Sequence, residues 1–167
     1  MIAAAIAIAM TGGSTGEVFE AGLAAVPQDS WTYRDLVKVR RAISNGSGKT
    51  TPQLVDHLLF EVAVEDYYYA DIAPEAVSLA MSAVLYGDGD FVKTLLFAVN
   101  LGRDADTIAA MAGAVVGAMT GYESIPQNWR NAIQSVKGSC LEFAAGLNPV
   151  EVAEKLVELI PVKGLQS

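Results

Sequence analysis

The stretch Asp104-Ala-Asp-Thr-Ile-Ala-Ala-Met-Ala-Gly-Ala-Val-Val-Gly-Ala-Met-Thr120 decides the fold class of this chain. After its polar start it consists of small and apolar residues, and no proline interrupts it, so it predicts an apolar helix over residues 105–120. The uninterrupted apolar run after Thr107 ends at Met119, which is too short to cross a bilayer. We therefore expect a helix buried in a protein core.

Helical signals continue along the rest of the chain. Apolar positions recur at intervals of three and four, and no Asn-Gly pair is flanked by the alternating residues of a hairpin. Ser30, Thr51-Pro52 and Asn148-Pro149 have the side chains that favour helix starts. We predict an all-α protein with one domain over residues 1–167 and helices at about 2–10, 17–26, 30–43, 51–69, 74–86, 88–101, 105–120, 127–136 and 148–160.

Composition excludes several classes of function. The 167 residues include 19 acidic and 11 basic side chains, for a net charge of −8, so a nucleic-acid-binding surface is not expected. The apolar run at residues 2–10 lacks a preceding basic residue and is too short to span a membrane. We expect no membrane partner and a cytoplasmic location. His57 and Cys140 are each the only residue of their kind and lie in no known catalytic signature, so any chemistry is expected to use carboxylates and hydroxyls.

The segment Gly46-Ser-Gly-Lys-Thr-Thr51 is similar to the end of a phosphate-binding P-loop. The full motif needs a glycine five residues before Gly48, where this chain has Ile43, and it needs a preceding strand. A helix is predicted there instead. We therefore interpret the segment as an ordinary loop between helices.

Glycines recur every four residues along the apolar helix, at Gly113, Gly117 and Gly121. A glycine inside a helix costs about 1 kcal/mol relative to alanine. We expect this stripe to let a neighbouring helix approach closely.

Two carboxylates and a hydroxyl, those of Asp104, Asp106 and Thr107, lie where a turn enters the apolar helix. In such a turn they can converge, and hard oxygen ligands of this kind suit Mg²⁺, Mn²⁺ or Ca²⁺. The alternative is that Asp104 or Asp106 only caps the helix and complements its dipole. Spacing alone favours the cap.

A longer pattern surrounds these residues. The sequence Ala98-Val-Asn-Leu-Gly-Arg-Asp-Ala-Asp-Thr-Ile-Ala-Ala-Met-Ala-Gly-Ala-Val-Val-Gly-Ala118, followed by Ile125-Pro126 and Trp129, resembles the C-terminal signature of the ADP-ribosylglycohydrolase family. Upstream, Glu20-Ala-Gly-Leu-Ala-Ala-Val-Pro27 resembles the family's preceding helix more weakly. The resemblance runs from about residue 3 to about residue 129.

The resemblance implies an all-α hydrolase that cleaves the bond between ADP-ribose and an acceptor. In that family two Mg²⁺ or Mn²⁺ ions hold ribose hydroxyls and position a water. The resemblance assigns Asp104, Asp106 and Thr107 as metal ligands. An aromatic residue stacks near the adenosine part in some relatives, and Tyr68 or Tyr69 is the candidate by rough spacing, with a merely packed tyrosine as the alternative. An ADP-ribose-type ligand is the expected partner.

The chain also departs from the family pattern. Gly102 matches the glycine of the tight turn, but Arg103 stands where many relatives have a second glycine. The family's N-terminal Thr-Asp-Asp element, which supplies the other metal ligands, does not occur in this sequence. We expect a chain equivalent to the C-terminal half of the fold, with weak metal binding and no catalysis unless an N-terminal half is supplied.

Two hypotheses of different classes follow. In the first, the chain is a truncated ADP-ribosylglycohydrolase-like domain that retains part of a metal site. In the second, it is a non-catalytic helical module for oligomerisation or binding, in which the signature survives as structure. The first hypothesis calls for an N-terminal half supplied by another chain. Because a missing half would leave apolar helix faces exposed, the second predicts a homo-oligomer that covers them.

Overall fold

The computed structural model describes residues 1–67 and 69–160 of the chain. All regular structure in these residues is helical, which confirms the all-α prediction. The helices are α1 (Ile2–Ala9), α2 (Thr15–Ala24), α3 (Trp31–Ser44), α4 (Thr51–Val62), α5 (Ala73–Gly87), α6 (Phe91–Asn100), α7 (Ala105–Thr120), α8 (Gln127–Ala132) and α9 (Pro149–Glu158), with short 3-10 turns at Tyr122–Ser124 and Glu142–Ala144.

The described chain divides into two compact units, Met1–Ile125 and a second that begins at Pro126. The single domain over residues 1–167 stays a prediction. No helix in the described ranges is long and apolar enough to cross a membrane.

Helix α5 is the centre of the first unit. It packs against α2, α3, α4, α6 and α7, and it buries most of its length, including Leu79, Met81 and Val84. Helix α7 packs against α1, α5 and α6, with Ile108 and Val115 fully buried. Burial of each such side chain contributes about 1.5–3 kcal/mol, so α5 and α7 form the rigid base from which the loops at their N-terminal ends are positioned.

Three helix ends differ from the predicted ones by three residues or more. Helix α4 ends at Val62 rather than near Tyr69, and α8 ends at Ala132 rather than near residue 136. Helix α6 begins at Phe91, because Asp88 ends α5 in the left-handed conformation and Asp90 is the residue that caps α6. The predicted bounds of α7 are confirmed.

The glycine stripe of α7 faces α6, as its spacing predicts, but the approach is not unusually close. A Cβ atom added at Gly113 would lie 3.4 Å from Leu95 Cδ1, and one at Gly117 would lie 3.7 Å from Phe91 Cε2. Both are ordinary van der Waals distances. Gly121 instead ends the helix with a φ of +78°, a conformation that suits glycine.

The second unit contains α8 and α9. Residues Val136 and Leu147 approach each other through a backbone hydrogen bond of 2.9 Å from Val136 N to Leu147 O. Helix α9 begins with Asn148, whose side chain accepts a hydrogen bond from Val150 N, and it has no buried residue. Its apolar side chains, which include Leu156 and Val157, are therefore exposed.

Candidate metal turn and its supports

The predicted metal residues lie in the connection from α6 to α7, residues 101–107, which we call the acidic turn. After the buried Leu101, the backbone passes through two consecutive residues with positive φ, Gly102 at +66° and Arg103 at +55°. Glycine adopts this left-handed conformation freely, whereas an arginine there costs about 1–2 kcal/mol. The acidic turn therefore has a backbone conformation that Arg103 disfavours.

Asp104 occupies the N-cap position of α7, but its side chain makes no capping hydrogen bond. Its ψ of 64° lies outside the extended range of a normal N-cap. The side chain is partly buried. The structure thus contradicts the interpretation of Asp104 as a side-chain cap and leaves its carboxylate oxygens uncommitted to the helix.

Asp106 and Thr107 are the next polar residues along the acidic turn. Both lie in the first turn of α7 and both are exposed. Asp106 complements the positive end of the helix dipole, as the alternative interpretation held. The structure therefore brings all three predicted metal ligands to one helix start, and it places two of them in contact with solvent.

The side chain of Arg103 turns inward from the acidic turn and binds Glu75 at the start of α5. Arg103 Nε lies 2.5 Å from Glu75 Oε1, and Nη2 donates to Glu75 Oε2 at 3.1 Å. Glu75 is fully buried and the Arg103 side chain is 21% exposed. The hydrogen bond to Glu75 raises the pKa of Arg103 above its usual value. This fork-like, charge-assisted pair joins the acidic turn to α5.

Of the two predicted adenosine-stacking residues, Tyr69 lies in the connection from α4 to α5, whose described residues 63–67 and 69–72 we call the tyrosine segment. Tyr68 lies outside the described residues. Tyr69 is 75% exposed in a turn, and its ring lies 6.1 Å from that of Tyr67, in an edge-on arrangement. A hydrogen bond with Asp71 raises the pKa of the Tyr67 phenol. Tyr69 is thus an accessible aromatic face, as a stacking role needs.

The tyrosine segment and the acidic turn are connected directly. Arg103 Nη2 donates to the carbonyl of Val64 at 3.1 Å and to that of Tyr67 at 3.4 Å. Glu75 Oε2 accepts a hydrogen bond of 2.8 Å from Val64 N. These contacts take the backbone groups that a longer α4 would use, which explains why the helix ends at Val62.

The residues of the acidic turn fit a divalent cation only in part. Carboxylate and hydroxyl oxygens are the donors that Mg²⁺ and Mn²⁺ prefer. The carboxylate of Asp104 makes no helix-capping hydrogen bond. Among the described residues, however, no three acidic, histidine or cysteine side chains group together as a metal site would require. The acidic turn therefore offers a partial ligand set.

The P-loop-like segment is a turn between α3 and α4, as interpreted from the sequence. Its residues Gly46 and Lys49 line an open cavity of about 500 Å³, which Asp88 and Lys93 also line. Because no strand precedes it, the phosphate-binding motif is not formed.

Sequence reasoning did not identify Glu75, nor any role for the side chain of Arg103. The available signals were an arginine in place of a glycine in a tight turn and an acidic residue directly after Pro74, at a helix start. Neither signal tells which partner the arginine finds, because the two residues are 28 positions apart.

Parts of the chain are similar in sequence to known proteins. A short stretch is similar to ADP-ribosylhydrolase ARH3 of Mus musculus, with 45% identity over 42 residues, which is 25% of this chain and 11% of the mouse protein. ADP-ribosylarginine hydrolase Tri1 of Serratia proteamaculans is 44% identical over 55 residues, 33% of this chain and 15% of that protein. An uncharacterized protein of Archaeoglobus fulgidus is 36% identical over 99 residues, 59% of this chain and 28% of its own length.

No solved structure is detectably similar to the chain. The aligned stretches span less than a third of each of these relatives. The model of the family described as ADP-ribosylglycohydrolase, in contrast, matches residues 1–164, which is nearly the whole chain. The chain therefore belongs to the ADP-ribosylglycohydrolase family.

Proposed function

We propose that this chain supplies the Asp104, Asp106 and Thr107 part of a divalent-cation site that serves hydrolysis of an ADP-ribosyl bond. The observation that carries the proposal is the uncapped Asp104 at the start of α7. A carboxylate at this position normally accepts a backbone N–H and contributes about 1 kcal/mol to stability. Asp104 makes no such bond, and the turn that precedes it is strained at Arg103. Backbone strain of this kind is common at functional sites.

In this proposal Asp104 and Asp106 bind Mg²⁺ or Mn²⁺ through their carboxylate oxygens, and Thr107 adds a hydroxyl oxygen. The bound cation would supply Lewis-acid polarisation and lower the pKa of a coordinated water. The exposed face of Tyr69 receives the adenosine part of an ADP-ribose-type ligand. The remaining donors come from a further segment or chain, because the acidic turn alone lacks a third acidic residue. We therefore expect the chain by itself to bind the cation weakly and to release no ADP-ribose.

The test is a calorimetric titration of Mn²⁺ into the wild type and two variants. Asp104→Asn keeps the shape of the side chain but removes its charge, so we expect at least a tenfold weaker Kd, about 1.4 kcal/mol. Asp90→Asn is the matched control, since Asp90 is also an aspartate at a helix N-cap. We expect its Mn²⁺ affinity to equal that of the wild type. Equal affinity in all three proteins would contradict the proposal.

A second candidate function, a helical association module, is favoured by the exposed apolar surface. On α9 and just after it, Leu156, Val157, Leu159 and Ile160 are all more than half exposed. Large exposed apolar patches mark interaction surfaces. In this candidate the chain forms a homo-oligomer, and the acidic turn is retained as structure. Light scattering on wild type and Leu156→Glu/Leu159→Glu is the test: we expect an oligomer that dissociates in the variant, and a monomeric wild type would contradict it.

A cytoplasmic location stays a prediction.

A further inference from the structure

The guanidinium of Arg103 contacts three residues at once. It pairs with both oxygens of Glu75, and it donates to the carbonyls of Val64 and Tyr67 in the tyrosine segment. The same Glu75 carboxylate accepts a hydrogen bond from Val64 N. The tyrosine segment is therefore held at the backbone of Val64 and Tyr67. Arg103 of the acidic turn binds both residues, and Glu75 of α5 binds Val64.

The residue that makes these contacts has a strained backbone. A residue with a side chain at a φ of +55° is strained, and a glycine would relieve that strain. A glycine, however, has no side chain with which to reach Glu75 or the two carbonyls. An arginine is therefore favoured over a glycine at this position when its side-chain contacts stabilise the fold by more than the backbone strain costs.

We propose that Arg103 is a positioning residue that holds the tyrosine segment beside the acidic turn. Through it, the cation donors at the start of α7 and the exposed aromatic face of Tyr69 are kept at a fixed separation. This inference rests on the proposed function, because it assigns the two loops to one ligand. It adds a residue that contacts neither the cation nor the nucleoside but determines where both bind.

The simplest alternative is that Arg103 only neutralises the buried charge of Glu75. Two variants separate the roles. Arg103→Lys keeps a positive charge for Glu75, but a lysine ammonium lacks the planar fork that contacts the carboxylate and both carbonyls together. The double variant Arg103→Met/Glu75→Gln removes both charges, so that no buried carboxylate is left unpaired, and it also removes the contacts to the carbonyls.

The measurement is fluorine NMR on the full chain labelled with 3-fluorotyrosine. Signals of Tyr67 and Tyr69 are assigned with the Tyr67→Phe and Tyr69→Phe variants. Mn²⁺ is then added, because a bound Mn²⁺ broadens a fluorine signal with the inverse sixth power of the distance between them. Circular dichroism confirms that each variant retains the helical fold.

In the wild type we expect Mn²⁺ to broaden both tyrosine signals. In both Arg103 variants we expect most of this broadening to be lost, even at Mn²⁺ concentrations that saturate the weakened site. Broadening in Arg103→Lys equal to that of the wild type would overturn the proposal, since charge neutralisation alone would then suffice. Bound Mn²⁺ that leaves the wild-type tyrosines sharp would overturn it as well.

The outcome in which the wild type binds no Mn²⁺ contradicts the proposed function and is recognised separately. The positioning role is then judged from the same spectra without Mn²⁺. We expect the signals of Tyr67 and Tyr69 to move in both Arg103 variants, because the segment is released. Unchanged signals would overturn the positioning role by themselves.

Discussion

Two neighbouring helices of the first unit both begin with an aspartate, and the two aspartates do different work. Asp90 precedes α6, with a ψ of 111°, and its Oδ1 accepts the backbone N–H of Lys93 at 2.9 Å. Asp104 precedes α7, with a ψ of 64°, and makes no such bond. The chemical group and the nominal position are the same, so the backbone that leads into each helix makes the difference.

The approach to α7 is set by tertiary contacts rather than by the helix itself. Gly102 and Arg103 turn the chain through two left-handed conformations, and the second of them is held by the ion pair with Glu75. Asp90 also follows two left-handed residues, Asp88 at a φ of +49° and Gly89 at +82°, yet it adopts the extended conformation of an ordinary cap. Two left-handed residues before a helix therefore do not by themselves prevent capping, and an aspartate is a ligand candidate when its own backbone conformation keeps its side chain from capping.

The largest expected effect comes from removing the anchor. Arg103→Met leaves the carboxylate of Glu75 buried without its charged partner, so we expect the free energy of unfolding to fall by about 3 kcal/mol or more. Urea denaturation of the wild type, this variant and Arg103→Met/Glu75→Gln measures the effect. The double variant should recover most of the loss, and a single variant as stable as the wild type would show that the pair does not hold the acidic turn.

A smaller effect is expected where α5 meets the start of α6. A Cβ atom at the buried Gly87 would lie 2.8 Å from Thr94 Cβ and 3.0 Å from its Cα, so Gly87→Ala must displace the capped start of α6. We expect a loss of about 2 kcal/mol, typical of overpacking. Gly117→Ala is the matched control, because a methyl group there meets only ordinary contacts and should be neutral or stabilising. Equal losses in the two variants, measured by thermal unfolding, would contradict this interpretation of the packing.

The comparison of the two aspartates can be tested directly through stability. Asp90→Ala removes a capping hydrogen bond, and we expect a loss of about 1 kcal/mol. Asp104→Ala removes none, so its loss should be less than half as large. Denaturant titrations under identical conditions provide the measurement. If the two variants are destabilised equally, Asp104 does cap α7 in solution and its availability for a ligand is lost.

The smallest effect is expected at a third helix start, where Ser14 and Glu17 form a capping box on α2. Hydrogen bonds from Ser14 lower the pKa of Glu17 below its usual 4.5 in the folded chain. The ionised carboxylate therefore adds stability above the usual pKa, and this is lost as the pH falls through the lowered value. We expect Glu17→Gln to flatten the acid limb of the curve of stability against pH slightly, with no change at neutral pH in the helical signal. A steeper acid limb would contradict the direction of the shift.

Sequence alone predicted the helices whose ends depend on local residues. The bounds of α7 are confirmed because its apolar run, polar start and terminal Gly121 are all local signals. Ser30 likewise caps α3 as predicted, through a hydrogen bond from Tyr33 N. Such features depend on neighbours within one helical turn, and those neighbours can be read from the order of residues.

Features that depend on distant partners were missed. The end of α4 is set at Val62 because Glu75 and Arg103 bind the backbone of Val64, and no local residue signals this. The uncapped state of Asp104 has the same origin. In the candidate site, the three ligand residues could be proposed from the signature, whereas the support that shapes them required the fold.

The long reach of the Glu75–Arg103 pair also bears on the order in which the molecule folds. In a chain where α5 has not yet docked, nothing compensates the left-handed conformation of Arg103, and Asp104 is then free to take up an ordinary cap on a nascent α7. We therefore expect the acidic turn to acquire its shape only after the loop of 28 positions between Glu75 and Arg103 has closed. A cation that binds this turn would select the fully folded chain over its intermediates, and metal affinity would serve as a reporter of completed folding.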